Sequence, residues 1–407
     1  MTRPADGVER WLILAEESFL PATSGGRVET LNFVRSIRRS EIDMELVVPM
    51  KASQDRAPYR KFLPGVAVTF VERRSGLGPL LGVEPYVFAS RPVPAGVAQS
   101  VLRRSFSARP TAVVSYSFRV AHMGVALSAL LGVPHLVRCH NLESAYFRHL
   151  ARSAPLWRGA AYRAESWRVR RAEAAIHKSA HVNCFADISI EDHRARSALT
   201  SAPTLHLPPF LPARVGSGRH PVACSALFVG SLDSAANDEA VMWLLRECWP
   251  RVRASHPAAT LRIVGRNPRN VLRRATGASP GVELVADAPA IEPHFAAAKV
   301  FVNPVRRGSG VNIKVVEAMA AGLPVVATTA GSRGMLWEPG RHLLVADRPN
   351  DFAERVGQLL TDPARRHMIG EEGRRFIAEA LDPAILLERM RQALQVGCTA
   401  RDGNPES

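Results

Sequence analysis

The chain has 407 residues, 46% of them apolar and 22% charged. That composition supports a sizeable core and about two domains, and it excludes an intrinsically disordered chain. Lys and Arg number 53 against 37 Asp and Glu, a formal net charge of +16. The excess is concentrated early, with 28 basic against 17 acidic residues up to position 205. There is neither a Lys-rich tail nor an aromatic pair of the RNA-binding kind, so the basicity is not read as nucleic-acid binding. Five cysteines, at 139, 184, 224, 248 and 398, show no CxxC and no paired spacing. A disulfide framework and a zinc ribbon are disfavoured, and a reducing, cytoplasmic setting is expected.

The opening MTRPADGVERWLILAEESF has a short apolar core beside acids, unlike the long apolar region of a signal peptide. Strand-like runs follow at 11–17, 44–50, 66–72, 111–117, 134–140 and 181–186. Helical patterns lie between them, one from about Arg27 and one through 119–131. The longest uncharged stretch, Val120 to Val137, is broken by Gly132-Val133-Pro134 into a helix and a strand, so no segment spans a bilayer. Short, strongly apolar runs separated by helices predict a parallel sheet covered on both faces. The Pro- and Gly-rich TLHLPPFLPARVGSGRHP, 204–221, reads as a connection. The alternation then restarts with strands at 226–231, 260–266, 282–287, 299–305, 324–329 and 342–347, and a helix around 238–254. Two such series predict two doubly wound α/β domains facing each other across a cleft, with ligands at the carboxyl ends of the strands. The expected boundaries are 1–205, a linker at 206–222, and 223–382. A final helix and tail, 383–407, has an apolar stripe that can pack back on the first domain.

The stretch VNPVRRGSGVNIKVVEAMAAGLPVVATTAGSRGM, 302–335, carries the most chemistry. A strand ends near Val305, Arg306 and Arg307 lead into Gly308-Ser309-Gly310, and a helix begins near Val311. Glycines ahead of a helix start let an anion approach backbone N–H groups, where the helix dipole favours it. Arg306, Arg307 and Lys314 add positive charge nearby. The pattern is neither a Walker loop nor a GxGxxG fingerprint. Glu317, in a mostly apolar setting, reads either as a carboxylate on the helix edge or as an acceptor for paired sugar hydroxyls. Gly25 and Gly26 follow the first strand, and His140 ends the strand PHLVRCH beside Asn141 and Glu143.

The stretch 302–335 resembles the signature of retaining glycosyltransferases of family 4, the group 1 glycosyl transferases with a GT-B fold. LFVGSLDSAANDEAVMWLLRECWPRVRASHPAATLRIVGRNP (227–268) resembles the start of that family's donor-binding domain. PATSGGRVETLNFV (21–34) resembles its first glycine loop, and HNLES (140–144) its His-containing loop. The resemblance covers nearly the whole chain and implies a nucleotide-diphosphate sugar held mainly by the second domain. Glu317 matches the second glutamate of the family's pair and would hold the ribose hydroxyls. Eight positions earlier stands Ser309 where the family has the first glutamate. Ser231 stands where many relatives have Arg, in the stretch running to Asn237. The remaining candidates for the diphosphate are Arg266, Arg307 and Lys314, with Gly230, Ser231, Gly308, Ser309, Gly310, Val311 and Asn312 completing the donor side. Gly25 and Gly26 would let backbone reach the phosphate, His140 would approach the donor sugar, and Asn141 and Glu143 would face the acceptor.

The resemblance thus implies transfer of a sugar to an acceptor hydroxyl with retention of configuration, in polysaccharide, glycolipid or natural-product biosynthesis. No metal or other cofactor is expected, since no DxD-like ligand pair lies in a suitable loop. Two alternatives share the architecture: a nucleotide-sugar epimerase, and a non-catalytic nucleotide-sugar-binding partner of another transferase, the latter suggested by Ser309. Finally, residues 147–178 hold eight basic and two acidic residues with Trp157, Tyr162 and Trp167. This stretch reads either as a solvated Arg-rich face with core aromatics or as a surface for peripheral contact with the anionic inner face of a membrane.

Overall fold

The computed structural model describes residues 8–22, 25–76, 82–103, 108–211, 224–307 and 310–399. The chain divides into two compact units, one of residues 1–211 with 383–407 and the other of residues 212–382.

The first unit is built on strands β1 (Arg10–Leu14), β2 (Asp43–Met50), β3 (Ala67–Glu72), β4 (Ala112–Ser115), β5 (His135–Cys139), β6 (Cys184–Asp187) and β7 (Thr204–His206). All pair in parallel in the order β3-β2-β1-β4-β5-β6-β7. Both faces are covered, which is why the runs are continuously apolar. In β1, Trp11 and Ile13 enter one core with Phe33, Val34 and Ile37 of the helix Gly25–Arg38. Leu12 and Leu14 enter the opposite one with Met123 and Leu127 of the helix Ala121–Leu131. That helix ends at Gly132, and Pro134 leads into β5.

Thr204–His206 is a strand rather than part of a connection. It pairs with β6, and the next residues, Leu207 and Phe210, are fully buried in the first core. Three residues before a Pro-Pro pair give too short a period for an alternation to show. The helix Pro383–Thr399 packs into the same core through Leu386, Leu387, Met390 and Leu394. Arg391 meets Glu9 at 2.8 Å, and Arg389 donates to the His206 carbonyl at 2.7 Å.

The second unit holds β8 (Cys224–Val229), β9 (Leu261–Gly265), β10 (Val282–Ala286), β11 (Ala298–Asn303), β12 (Val325–Ala327) and β13 (Leu344–Val345). The order β10-β9-β8-β11-β12-β13 is again parallel throughout. In each sheet the chain runs outward for three strands and then returns to the other side of the first. The reversal, between β1 and β4 or β8 and β11, is where such folds open a crevice for ligands. The helical stretch read around 238–254 spans Ala235–Ser255 but contains a π turn at Leu244–Cys248. Pro250 stands two residues beyond it; lacking an N–H, it cannot continue a regular α-helical ladder.

Candidate functional site

In the second unit the reversal point gathers groups suited to an anion. β8 ends at Val229, and Gly230 and Ser231 turn toward the helix that begins at Ala235. Asn237 on that helix donates from Nδ2 to the Ser231 carbonyl at 2.9 Å, which fixes its amide. Its Oδ1 accepts from Lys314 Nζ at 2.6 Å. The Lys314 ammonium also lies 4.5 Å from the centre of the Phe228 ring. Burial penalises the charge and pulls this lysine down to about 7. Lys314 is thus a cation held in an apolar setting beside a neutral amide, and an anion placed against it would restore its full charge.

β9 ends at Gly265, where a Cβ would fall 2.1 Å from the Gly230 carbonyl. Only glycine lets the two strand ends approach this closely. Arg266 follows, its carbonyl accepting from Leu232 N at 2.9 Å and its Nη2 lying 3.4 Å from Ser231 Oγ. Arg266 and Ser231 therefore share one strand edge.

After β11 the helix Ile313–Ala320 begins with Asn312 at its cap position, and the Asn312 side chain does not cap it. Asn312 Nδ2 instead donates to the Ala330 carbonyl at 3.3 Å. Gly310 has φ of +75°, a left-handed turn that brings the chain into the helix start. Val311 and Asn312 are partly buried there. Glu317 is partly exposed on a helix whose Val315, Val316, Ala318 and Met319 are buried. Arg307 is exposed and lies 3.7 Å from Glu239, while Arg306 stacks over Trp243 at 5.5 Å. Gly308 and Ser309 lie outside the described residues. The structure thus brings Gly230, Ser231, Asn237, Arg266 and Lys314 into direct linkage.

In the first unit, the helix Gly25–Arg38 starts at the glycine pair, and among the described residues beyond its own helix no atom stands within 4 Å of where a Gly26 Cβ would sit. His140, just past β5, is partly buried, and its Nε2 lies 3.2 Å from Glu29 Oε2. Glu29 is fully buried. Its Oε1 accepts from Tyr116 Oη at 2.6 Å and from an Arg138 Nη2 at 2.9 Å. Burial opposes ionisation of Glu29, but Arg138 and His140 outweigh it and hold the carboxyl down at about 2. Arg138 also donates to the Leu207 and Pro208 carbonyls.

Sequence reading missed Glu29, although a signal was present. It stands four and eight residues before Phe33 and Ile37, on the apolar stripe of its helix. Arg138, inside an otherwise apolar strand, likewise called for a buried acid. Asn141 accepts at its carbonyl from Arg196 at 3.2 Å. Glu143 is buried and meets Arg119 at 3.0 Å, and Arg119 also reaches Glu16 at 2.9 Å. Burial raises the Glu143 carboxyl, whereas Glu16 is held down at about 2 by Arg119 and Arg91 against the effect of its own burial.

Among the described residues no three His, Cys, Asp or Glu side chains come together in a set able to hold a metal ion.

Residues 223–362, all within the second unit, match the family model for glycosyl transferases group 1. A Klebsiella pneumoniae protein described as an uncharacterized 44.6 kDa protein in the cps region is 24% identical over 85% of this chain and 89% of its own. Glycogen synthase of Mycobacterium tuberculosis is 26% identical over 71% of this chain and 69% of its own. A GDP-mannose-dependent monoacylated alpha-(1-6)-phosphatidylinositol monomannoside mannosyltransferase of Corynebacterium glutamicum is 33% identical over 37% of this chain and 42% of its own. Among solved structures, Anabaena HepE in complex with UDP superposes with a TM-score of 0.68 at 15% identity, covering 95% of this chain and all of its own. Sucrose-phosphate synthase from Thermosynechococcus elongatus gives 0.64 at 14% identity, over 97% and 98%. The fold is therefore GT-B, and its second unit carries a segment similar to the group 1 glycosyl transferases.

Proposed function

We propose that the chain moves a sugar from a nucleotide-diphosphate donor to an acceptor hydroxyl with retention of anomeric configuration, in the cytoplasm. The single observation that carries this reading is the linked group Gly230, Ser231, Asn237, Arg266 and Lys314 at the strand ends of the segment that matches the group 1 family. As the glycosyl–phosphate bond breaks, negative charge grows on the departing diphosphate. Lys314, Arg266 and the N–H groups at the start of Ile313–Ala320 neutralise it, and Arg307 adds to them when it leaves Glu239. Gly310, Val311 and Asn312 supply the approach to that helix start, and Gly308 and Ser309 are assigned to the donor side by the resemblance. Glu317 takes the ribose hydroxyls. On the first unit Gly25 and Gly26 contribute backbone to the phosphate, and His140 is assigned to the donor sugar. Asn141 and Glu143 are assigned to the acceptor side, Glu143 through its pairing with Arg119. In a same-face displacement the leaving phosphate oxygen takes the acceptor's proton, so the reading needs no paired carboxylates and no metal.

A role in building a polysaccharide, glycolipid or natural-product glycoside is supported by the relative in a cps region and by the mannosyltransferase that acts on a phosphatidylinositol mannoside. The test starts with thermal-shift screening of the purified chain against a panel of nucleotide sugars, because a ligand that binds only the folded state raises its stability. The donor found is then used to read the anomeric configuration of the product by NMR. Glu317→Ala is expected to lower donor affinity by at least about tenfold, the effect of losing one charge-assisted hydrogen bond. An unchanged affinity in a folded variant removes the ribose assignment. The non-catalytic reading, which Ser309 in place of the family's glutamate favours, is upheld only if the purified chain binds a donor and neither transfers nor hydrolyses it.

A further inference from the structure

The Arg-rich segment singled out in the sequence becomes two packed helices, Glu143–Ser153 and Leu156–His177. Its acids are turned inward: Glu143, Glu165 and Glu173 are 2%, 8% and 4% exposed. Glu173 accepts from the backbone N–H groups of Glu143 at 2.8 Å and Ser144 at 3.3 Å, at the start of the first helix. Glu165 lies 3.4 Å from Val87 N and 3.6 Å from Arg168. Facing outward are Arg152, Arg158, Arg163, Arg170, Arg171 and Lys178, all exposed.

The longer helix has 22 residues and a length of about 33 Å at 1.5 Å per residue. It leaves Leu156 at 89%, Trp157 at 71% and Trp167 at 58% exposure. At about 100° per residue, Leu156, Ala160, Trp167 and Ala174 fall on one narrow strip, with Trp157 and Ala164 beside it. Arg163 and Arg170 line one edge of that strip and Arg171 the other. Arg158 stacks on Trp157 at 4.8 Å and Arg171 on Trp167 at 4.9 Å. Every exposed residue of this helix is Leu, Trp, Ala or Arg.

We infer that the outward face of Leu156–His177 lies on an anionic lipid surface. The indoles and Leu156 enter the headgroup boundary while the guanidiniums reach the lipid phosphates. Chemistry selects this occupant over two others. A nucleic acid would be met by amide and hydroxyl side chains as well as arginines, and this face exposes none. A second copy would set like charges against each other. The contact is peripheral, since no described helix is long and apolar enough to cross a membrane. The inference does not depend on the proposed reaction.

Flotation of the full chain with phosphatidylcholine vesicles, with and without phosphatidylglycerol, tests it. Binding to the anionic vesicles is expected to exceed binding to neutral ones by at least about tenfold. It should fall by a similar factor between about 0.1 M and about 0.5 M salt. Trp157→Ala with Trp167→Ala, and separately Arg163→Glu with Arg170→Glu and Arg171→Glu, should each lower it at least about tenfold. Circular dichroism and the nucleotide-sugar thermal shift should be unchanged in both variants. A lost thermal shift with intact flotation strikes at the donor reading instead. The lipid assignment is overturned by equal or absent binding to both vesicle types, or by variants that bind as the parent does. It is equally overturned by a dimer that the tryptophan variant dissolves, or by RNA displacing the vesicles at equal charge.

Discussion

Glu29 and Lys314 are opposite outcomes of burying a charge. Glu29 has an arginine, a tyrosine hydroxyl and a histidine around it, so it stays ionised in the folded state down to about pH 2. Its folded value lies below the ordinary value of 4.5. The stability it contributes is therefore complete above pH 4.5 and is lost as pH falls toward 2. Glu29→Gln leaves the Arg138 guanidinium buried without a counter-charge and should destabilise the first unit by about 3–5 kcal/mol at neutral pH. In urea titrations that difference should shrink at pH 3; a constant difference at both pH values would contradict the ionisation assigned here. Among the described residues Lys314 meets an amide oxygen and an aromatic face, and its charge is disfavoured above about pH 7. A diphosphate bound beside it raises that value, so near pH 8 binding should take up close to one proton. Affinity should fall as pH rises above 7, and below 7 the proton is already present. Calorimetry in buffers of different ionisation enthalpy reads the uptake directly. Lys314→Met should abolish it; uptake that persists in that variant assigns the proton to another group.

Among the elements, the helix Pro383–Thr399 shows how much depends on where an apolar stripe is spent. Leu386, Leu387, Met390 and Leu394 are 5% exposed or less and share a core with Trp11, Ile13 and Phe33. Leu386→Ala should cost about 2–5 kcal/mol by the removed side chain and the cavity left behind. Chemical denaturation followed by a probe in the first unit measures it, and a loss below about 0.5 kcal/mol, the level of surface substitutions, would place the helix elsewhere. The strip was legible in the sequence and was read as able to pack back on the first domain, but nothing local says which core a terminal helix enters, so that choice lay with the tertiary structure. The short strand β7 was illegible for the converse reason. Thr204–His206 becomes a strand only through pairing with β6, and Pro208-Pro209 nearby made the stretch read as a connection. The Arg-rich helix Leu156–His177 was visible as a composition. Whether Glu165 and Glu173 balanced its outer charge depended on which way they turned, and that is set by the N–H groups they accept from the chain around Val87 and from Glu143–Ser144.

For the whole molecule, two sheets of the same strand order offer two reversal points, and the family match falls on the second. A nucleoside diphosphate at about one hundred times its Kd adds about 2.7 kcal/mol of stability to the fold that holds it. Hydrogen exchange should therefore slow most in β8, β9 and the helix Ile313–Ala320, and less in β1–β7. Greater protection in the first sheet would move the donor to the other unit. The sequence by itself determined the alternation of strand and helix, the two-fold repetition of that pattern and the glycine-opened helix with Lys314 and Glu317, because these are set by residues near one another in the chain. Only tertiary structure decided that Asn237 meets Lys314 across 77 positions and that Glu29 meets Arg138 across 109. Buried charges find partners by the order of strands in a sheet, and that order places distant residues side by side without leaving a local periodic trace.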